Sequence, residues 1–287
     1  MKLIPVRRLN KLQHHLPDAG QFKIRRIEDI LQGNDLLHDL HRHDFFFILS
    51  IQHGEGNHEI DFAGYTIADQ SIFFLRPGQV HQLTLKAGSA GFLLEFNAAF
   101  YQPKDQAASQ RLRRASNRPY CQPASDRFSR LHNILASVFS EYSLGEEGYI
   151  DIIKSSLEIF VIEYARQSAH PGINVATAHN YTQERFEEFL ELLEKHVTRH
   201  KQVSNYTDLM SLSPYQLNEI TKSSVGKTAS ELISEYILLE AKRYLLATPS
   251  QVKEIADLLG YDDPSYFIRF FKKQTGLSPE AFRQSLK

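Results

Sequence analysis

The sequence is poor in cysteine and lacks any long apolar stretch. Its 287 residues include one cysteine, Cys121, which excludes an internal disulfide framework and a zinc site built from several cysteines. Apolar runs such as residues 45–49 are far too short to cross a bilayer, so we expect no membrane-spanning segment. The N-terminal residues lack the apolar stretch of a signal peptide. We therefore expect a cytoplasmic protein.

An excess of charge is also missing. The net charge of −1 does not by itself indicate a nucleic-acid-binding protein, so any affinity for phosphate must come from locally placed cations. The sequence has no phosphate-binding loop, catalytic triad or paired-carboxylate motif, and we predict that the protein is not an enzyme. Its 42% hydrophobic and 23% charged residues are typical of globular proteins, and its length suits two domains.

Residues 39–97 have the pattern of short β-strands. Between His43 and Ile51 the odd positions after His43 are apolar, as expected of a strand with one buried face. Turns containing glycine separate further short apolar segments. Strands at this spacing predict an antiparallel sandwich or barrel. Residues 1–35 are interpreted as an N-terminal arm or short strands.

Two amphipathic helices are predicted after residues 101–123, which are interpreted as a loop. Apolar residues recur at helical spacing in Arg127–Tyr142 and again in Tyr149–Arg166, and residues 143–145 join the two segments into a helical hairpin. The apolar stripe of this hairpin is expected to pack on the β domain. An equally favoured interpretation is that one face mediates dimerisation.

The sequence predicts two domains separated by a linker. The first covers residues 1–167 and includes the hairpin at 126–167. Residues 168–180 contain proline, glycine and several small residues, which indicates a flexible connection. The second domain covers residues 181–287, and its pattern is entirely α-helical. The fold class is therefore α+β and multidomain.

One C-terminal helix has clear signals at both ends. Asp263 is a predicted N-cap, Pro264 is suited to the first helical position, and Gly276 to the left-handed residue after the end. The apolar residues between these ends follow helical spacing and predict a buried stripe: Phe267, Phe270 and Phe271. The other faces carry hydroxyl groups and cations, which suit a polyanionic partner.

The same pattern occurs 50 residues earlier. Ser213-Pro214 corresponds to Asp263-Pro264, and Gly226 corresponds to Gly276. A capping box at Thr228–Glu231 opens a long helix between the two copies, which ends at about Ala247. The repeat therefore predicts two helix-turn-helix units. At about 1.5 Å per residue the connecting helix is roughly 30 Å long, close to the ~34 Å of one turn of B-DNA.

Further helix boundaries are predicted in the same domain. Thr182 is expected to cap an acidic helix that extends to His200. Thr207–Leu212 is predicted to be the first helix of the first unit, and Ser250 to cap the first helix of the second. Ser278 is expected to begin a last short helix.

The C-terminal region resembles the DNA-binding domain of the AraC/XylS family. The resemblance is specific in the segment EIADLLGYDDPSYFIRFFKKQTGLSPEAFR and looser in YTDLMSLSPYQLNEITKSSVGKTASELI. In the β region, HRHDFFFIL and FFLRPGQVHQL resemble the small cupin barrel that forms the sensor domain of these regulators. The resemblance implies a DNA-binding transcription regulator controlled by a small-molecule effector. It also implies an activator, a homodimer and contact with RNA polymerase.

Candidate DNA-binding residues lie on the two helices that the repeat aligns. Amides such as Gln216 and Asn218 can contact adenine, whereas Arg269 and Lys273 suit phosphates. Glu219 stands where many relatives have arginine, and it would repel phosphates unless it faced a base edge. The alternative for the two amides is a solvated or capping position. The predicted set is Ser213, Tyr215, Gln216, Asn218, Glu219, Lys222, Ser265, Tyr266, Arg269, Lys272 and Lys273.

Candidate effector-binding residues lie in the β region. Aromatic side chains with a few polar groups suit a small organic molecule such as a sugar or an aromatic acid. The alternative is that these aromatic rings simply fill the core. The predicted set is His43, Phe45, Phe47, Tyr65, Phe73, His81 and Phe92.

The histidines of the β region also raise the question of a metal. Metal-binding cupins use an HxH pair, a nearby glutamate and a later histidine. His41 and His43 supply the pair and His81 the later histidine, but phenylalanines occupy the place of the glutamate. We therefore expect no metal and no cofactor. Two alternatives stay open, a metal-dependent cupin enzyme fused to a DNA-binding domain and a DNA-binding regulator without a ligand.

Overall fold

The structure is a computed structural model that describes residues 6–7, 9, 21–168 and 178–286. These residues form two compact units, one on each side of residues 169–177. The predicted linker at 168–180 therefore lies largely outside the described residues, and residues 178–180 begin a helix. Within the described ranges, no helix has the length and hydropathy to span a membrane.

The described part of the N-terminal unit contains ten β-strands in two five-stranded sheets. In chain order the strands are β1 (Val6–Arg7), β2 (Phe22–Arg26), β3 (Leu36–His43), β4 (Phe46–His53), β5 (Gly56–Ile60), β6 (Ala63–Ile67), β7 (Ser71–Leu75), β8 (Val80–Leu85), β9 (Ala90–Phe96) and β10 (Tyr120–Cys121). The first sheet has the order β1-β3-β8-β5-β6, and the second has the order β10-β7-β4-β9-β2.

An apolar core lies between the two sheets. Ile60 and Leu83 contribute to it from the first sheet, and Leu49, Phe73 and Leu93 from the second. The prediction of an N-terminal β domain is confirmed. Among the described strands, however, no ladder joins one sheet to the other, so the unit is a two-sheet sandwich and not a closed barrel.

Helices cover the outer face of the second sheet. They are α3 (Ser125–Leu144) and α4 (Tyr149–Ser168), which form the predicted hairpin. Ile48 and Leu94 of the sheet pack with Leu135 and Phe160 of the hairpin in a second apolar cluster. Strand β4 is therefore buried on both faces, and the interpretation of a strand with a single buried face was wrong. The hairpin does pack on the β domain, as expected.

Two short helices were missed. Helix α1 (Ile27–Leu31) lies in the segment interpreted as an arm or strands, and α2 (Gln106–Ser116) lies in the segment interpreted as a loop. Asp105 caps α2 by accepting a hydrogen bond from the amide of Ala108 at 2.7 Å. Few of the α2 residues are apolar, so its buried face at Leu112 and Ala115 gives only a weak periodic signal.

The described part of the C-terminal unit is entirely helical. Its helices are α5 (Ala178–His196), α6 (Val203–Met210), α7 (Pro214–Val225), α8 (Ala229–Ala247), α9 (Val252–Leu258), α10 (Pro264–Thr275) and α11 (Pro279–Ser285). One apolar core joins them, and it includes Phe189, Leu217, Ile237, Ile255 and Phe271. The predicted helical C-terminal domain is confirmed.

Some predicted helix starts were wrong. Thr182 lies inside α5 and does not cap it, because the helix already begins at Ala178. Helix α6 begins at Val203, four residues before the predicted Thr207. The N-cap of α9 is Gln251 and not Ser250; the Gln251 amide donates to the Glu254 carboxylate at 2.7 Å. The last prediction is confirmed, since Ser278 caps α11. A serine or threonine near a helix start is thus a weak boundary signal by itself.

The helix boundaries that the internal repeat predicts agree with the structure where the capping signals are strongest. Helices α7 and α10 begin and end 50 residues apart, as do the starts of α8 and α11. The turns that precede α7 and α10 differ, because three residues follow α6 and five follow α9. In the second turn Gly260 has a φ of +70°, and a Cβ there would lie 1.7 Å from the carbonyl oxygen of Thr198. Only glycine fits this position.

Candidate functional site: two exposed helices and a buried histidine cluster

The first exposed helix is α7, whose start is held by a reciprocal cap. The Ser213 hydroxyl accepts from the Gln216 amide at 3.2 Å, and the Gln216 side chain accepts from the Ser213 amide at 2.9 Å. Leu217 and Ile220 are buried and face the core. The opposite face is therefore presented to solvent, with Tyr215 74% exposed. Glu219 and Lys222 are exposed on the same face.

The two amide candidates on α7 already have partners within the protein. The side-chain carbonyl oxygen of Gln216 accepts the hydrogen bond of the cap, as the capping alternative predicted. The side-chain oxygen of Asn218 accepts a hydrogen bond from the backbone amide of Ala229 at 3.0 Å, at the start of α8. Asn218 is half-buried and holds the turn between α7 and α8 in place. A contact of either amide with a base stays a prediction, and Tyr215 is the more accessible side chain.

The second exposed helix is α10. Asp263 caps it by accepting from the Ser265 amide at 2.8 Å, and this hydrogen bond is the main cause of the lowered pKa of the Asp263 carboxyl. Phe267 and Phe271 are fully buried, as predicted, and Phe270 is partly buried. The remaining faces present Ser265, Tyr266, Arg269, Lys272 and Lys273 to solvent. The Arg269 guanidinium lies 4.0 Å from the Asp263 carboxylate.

The repeat places the exposed residues of the two helices at equivalent positions. Tyr215 corresponds to Ser265, Glu219 to Arg269, and Lys222 to Lys272. Helix α10 carries three cations and no anion, whereas α7 carries one of each. Because phosphate affinity needs local positive charge, α10 is the better of the two for gripping a polyanionic backbone.

Within the C-terminal unit, helix α8 separates the two helix-turn-helix units. It has 19 residues, which correspond to about 28 Å along its axis. Its start is fixed by a capping box in which the Glu231 carboxylate accepts from the Thr228 amide at 2.7 Å. Its far end is held to α11, since Arg283 donates to the carbonyl of Leu245 at 3.2 Å and to that of Ser250 at 2.7 Å. The spacing of α7 and α10 is therefore set by one capped helix.

The predicted effector residues lie in the N-terminal unit, and six of the seven border the space between the sheets. Phe45, Phe47 and Phe73 belong to the inter-sheet core, and Tyr65 packs against it. His43 and His81 reach the same space, with the His43 ring 5.4 Å from that of Phe47. Phe92 does not belong to this set. It points to the other face of β9 and packs against His132 and Phe139 of the hairpin.

Phe92 was misplaced because the sequence does not show which face of β9 turns inward. Every residue from Gly91 to Phe96 is buried, since helices cover the outer face. The alternation that normally separates an inner from an outer face is therefore missing. Only the placement of the hairpin on this sheet assigns Leu93 and Glu95 to the inner face and Phe92 and Leu94 to the outer one.

Several charged residues also border the space between the sheets. Phe22 and Ile24 of β2 pack against the hairpin. Because side chains alternate along a strand, Lys23 and Arg25 face the other way, toward the space between the sheets. The Arg25 guanidinium donates to the buried Glu95 carboxylate at 3.2 Å, and burial raises the pKa of Glu95. Arg7 pairs in register with His43, and burial lowers the pKa of its guanidinium. Cations thus outnumber anions here.

Four histidines form a buried cluster on the first sheet. His41 and His43 come from β3, His58 from β5 and His81 from β8. The Nε2 atoms of His43 and His81 lie 2.6 Å apart, and the Nε2 atom of His58 lies 2.7 Å from Nδ1 of His81. Sequence reasoning missed His58, because it is not part of the HxH motif. It lies in the cluster because β5 pairs with β8 in the same sheet.

The cluster is held in the neutral state by burial. Desolvation lowers the pKa of His41 to about 4 and that of His58 to about 3. Desolvation likewise puts the pKa values of His43 and His81 well below the ordinary range, and the neighbouring imidazoles add to the shift. A neutral imidazole has one N–H donor and one lone pair. Each ring can therefore donate one hydrogen bond and offer one unprotonated nitrogen.

Comparison with known families identifies both units. Residues 24–150 match the model of an AraC-like ligand binding domain, and residues 206–285 match that of a helix-turn-helix domain. The two models together account for most of the chain. The first model covers the residues of the histidine cluster, and the second covers the two exposed helices.

Known proteins resemble the chain over different lengths. RhaS, a transcriptional activator of Enterobacter sp. (strain 638), is 23% identical over 85% of this chain and 87% of its own length. AdaA of Bacillus subtilis (strain 168), a bifunctional transcriptional activator and DNA repair enzyme, is 34% identical over 34% of this chain. That match spans only 46% of AdaA. A solved structure of ToxT from Vibrio cholerae is 16% identical over 92% of this chain and 97% of that one, with a TM-score of 0.43.

Proposed function

This chain belongs to the AraC family of transcription regulators, and we propose that it binds double-stranded DNA through α7 and α10. The observation that carries this proposal is the pair of capped helices, related by the 50-residue repeat, whose polar faces are exposed. A helix with such a face fits the major groove of B-DNA. The ~28 Å of α8 is close to one helical turn, so both helices can enter the same face of the duplex.

The two helices divide the work. Helix α10, with Arg269, Lys272 and Lys273, binds phosphates and fixes the position of the protein on the duplex. Helix α7 reads more of the sequence, and its Tyr215 and Glu219 are exposed for contact with base edges. Lys222, Ser213, Gln216, Asn218, Ser265 and Tyr266 complete the proposed interface.

The N-terminal unit serves as the sensor in this proposal. A small-molecule effector binds between the sheets beside His43, Phe47 and His81, and its binding alters the hairpin of α3 and α4. Regulation is positive, as it is for the relative RhaS, which is a transcriptional activator. The protein acts in the cytoplasm as a homodimer that contacts RNA polymerase, and it is not an enzyme. The double function of AdaA gives no support for catalysis here, because the match spans only 46% of AdaA.

Selection of DNA from a random pool tests the DNA-binding proposal. The full chain at about 0.15 M salt should enrich one defined sequence and bind it at least about 10³-fold more tightly than random duplex of the same length. Specific contacts to base edges are the cause of that ratio. A chain that enriches no sequence, or that binds random and selected duplexes equally, would contradict the proposal.

The class of effector follows from the charges between the sheets. Because Arg7, Lys23 and Arg25 outnumber Glu95 there, we expect an aromatic carboxylate to bind more tightly than an uncharged sugar. At a concentration 100 times its Kd, a true effector stabilises the native state by about 2.7 kcal/mol. Thermal-shift screening checks this, with the primary amide of each acid as matched control. Equal shifts from acid and amide would refute the role of the cations.

A further inference from the structure

The histidine cluster has the geometry of a metal site, although the sequence argued against one. The ligand atoms offered by His41, His43 and His81 all lie within 4.8 Å of one another, and all three residues are buried. Neutral imidazole nitrogens are favoured ligands of zinc and related ions. The missing glutamate weighed against a catalytic cupin centre, but three histidines with an open fourth position are a known zinc arrangement by themselves.

The tautomer of His41 is fixed by a backbone carbonyl. Its Nδ1 atom lies 2.6 Å from the carbonyl oxygen of Asp39, which can only accept, so Nδ1 carries the proton and Nε2 the lone pair. This Nε2 atom is buried and has no hydrogen-bond partner among the described residues. A buried lone pair without a donor is costly. Metal-binding histidines commonly have this arrangement, with the second nitrogen donating to a carbonyl.

His58 gives His81 the corresponding support. If Nδ1 of His81 donates to Nε2 of His58 across their 2.7 Å separation, then Nε2 of His81 carries a lone pair. That atom lies 2.6 Å from Nε2 of His43, and the ring of His81 lies 4.3 Å from that of His41. The Nδ1 atom of His58 then holds the remaining proton. His58 thus orients His81 without being a ligand itself.

We propose that His41, His43 and His81 bind one divalent transition-metal ion of the zinc class through their Nε2 atoms, and that His58 positions the ring of His81. Three neutral imidazoles leave the fourth position open. This position faces the space between the sheets, where the Phe47 ring lies 5.2 Å from that of His81. The metal site does not depend on the proposed DNA binding.

Binding requires a modest rearrangement and no net release of protons. In the metal-free cluster one proton lies between the Nε2 atoms of His43 and His81. When the metal ion binds between these two atoms, this proton moves from Nε2 to Nδ1 of His43, and the Nε2 lone pair binds the metal. With metal–nitrogen distances of about 2.0–2.1 Å, tetrahedral ligands lie roughly 3.3 Å apart, so these two rings must separate by about 0.7 Å. Because the ligand atoms of the three histidines lie up to 4.8 Å apart, His41 must also approach the other two rings by up to about 1.5 Å.

Metal titration of the full chain tests the proposal. The tag-free protein is stripped with a chelator and titrated with ZnCl₂, and then with CoCl₂ as a coloured probe. We expect one equivalent of zinc and the visible absorption bands of four-coordinate cobalt. X-ray absorption of the zinc form should show three imidazole nitrogens at about 2.0–2.1 Å. A folded wild-type chain that binds no stoichiometric metal, or a shell of oxygen ligands only, would overturn the proposal.

Variants assign the site to the cluster. His41→Gln and His81→Gln should each weaken zinc binding at least 100-fold. His58→Gln keeps an acceptor for His81, so it should bind zinc more tightly than His58→Ala, which loses about 10–100-fold. His53→Gln, in an exposed residue of the same unit, should have no effect. Circular dichroism verifies that each variant is folded.

A second histidine pair provides the competing explanation. The rings of His196 and His200 lie 5.7 Å apart at the end of α5 and could hold a metal ion adventitiously. The double variant His196→Gln/His200→Gln should keep full zinc binding. Loss of the zinc in this variant, with zinc retained in His81→Gln, would refute the buried site.

Discussion

Replacing Phe271 by alanine should lower the free energy of unfolding of the C-terminal unit by about 3–5 kcal/mol. The Phe271 side chain is fully buried in the core of the C-terminal unit. Its ring lies 6.0 Å from that of Phe267 on the same helix and 5.5 Å from that of Phe282 on α11. Truncation leaves a cavity that the surrounding rigid helices cannot fill. Chemical denaturation followed by circular dichroism measures the loss.

The matched control for Phe271→Ala is Ile268→Ala. Ile268 lies on the same helix but is 37% exposed, so its truncation should cost less than about 1 kcal/mol. Because α10 carries most of the positive charge of the interface, Phe271→Ala should also weaken binding to selected and random DNA alike. Similar losses of stability in the two variants would show that α10 is not anchored through Phe271.

The double variant Arg269→Ala/Lys273→Ala should bind all DNA sequences about 100-fold more weakly. Each cation contributes a charge-assisted contact of roughly 1.5 kcal/mol to a phosphate. Because the variant neutralises two fewer phosphates, the magnitude of the slope of log K against log salt should also fall by about 1.8. Both residues are exposed on α10 and lie one turn apart. Binding isotherms between 50 and 200 mM salt provide both quantities.

Lys195 and Arg199 provide a charge-matched control for this double variant. They are also exposed and lie four residues apart, but near the end of α5 and outside both repeated units. Lys195→Ala/Arg199→Ala removes the same charge and should leave the slope within about 0.5 of the wild-type value. Equal effects of the two double variants would mean that net charge, and not its placement on α10, determines affinity.

Much of the C-terminal unit could be predicted because its signals are local. Ser213, Thr228 and Asp263 each cap a helix, and Gly226 and Gly276 end two. Repetition of the same signals 50 residues apart made the prediction stronger than any single cap. Thr182 lacked such a repeated partner, and its assignment as a cap was wrong. Local chemistry therefore predicts a helix end reliably only when several signals agree.

The interior of the N-terminal unit was harder to predict, since it depends on contacts between distant strands. The HxH motif suggested two ligands, but His58 joined the cluster only through the pairing of β5 with β8. The inner face of β9 could not be predicted because its residues are buried on both faces, and Phe92 was assigned to the wrong side. Pairing register and helix placement, which decide both, are properties of the folded chain.

The spacing of the two recognition helices is the central claim, and insertion of base pairs into the selected DNA tests it most directly. Hydroxyl-radical footprinting of the full chain should show two protected subsites about 10 bp apart on one face. Because capped helix α8 fixes the separation, inserting either 5 or 10 bp between the subsites should weaken binding at least about 100-fold. Unchanged affinity after either insertion, or protection of a single subsite, would contradict the account.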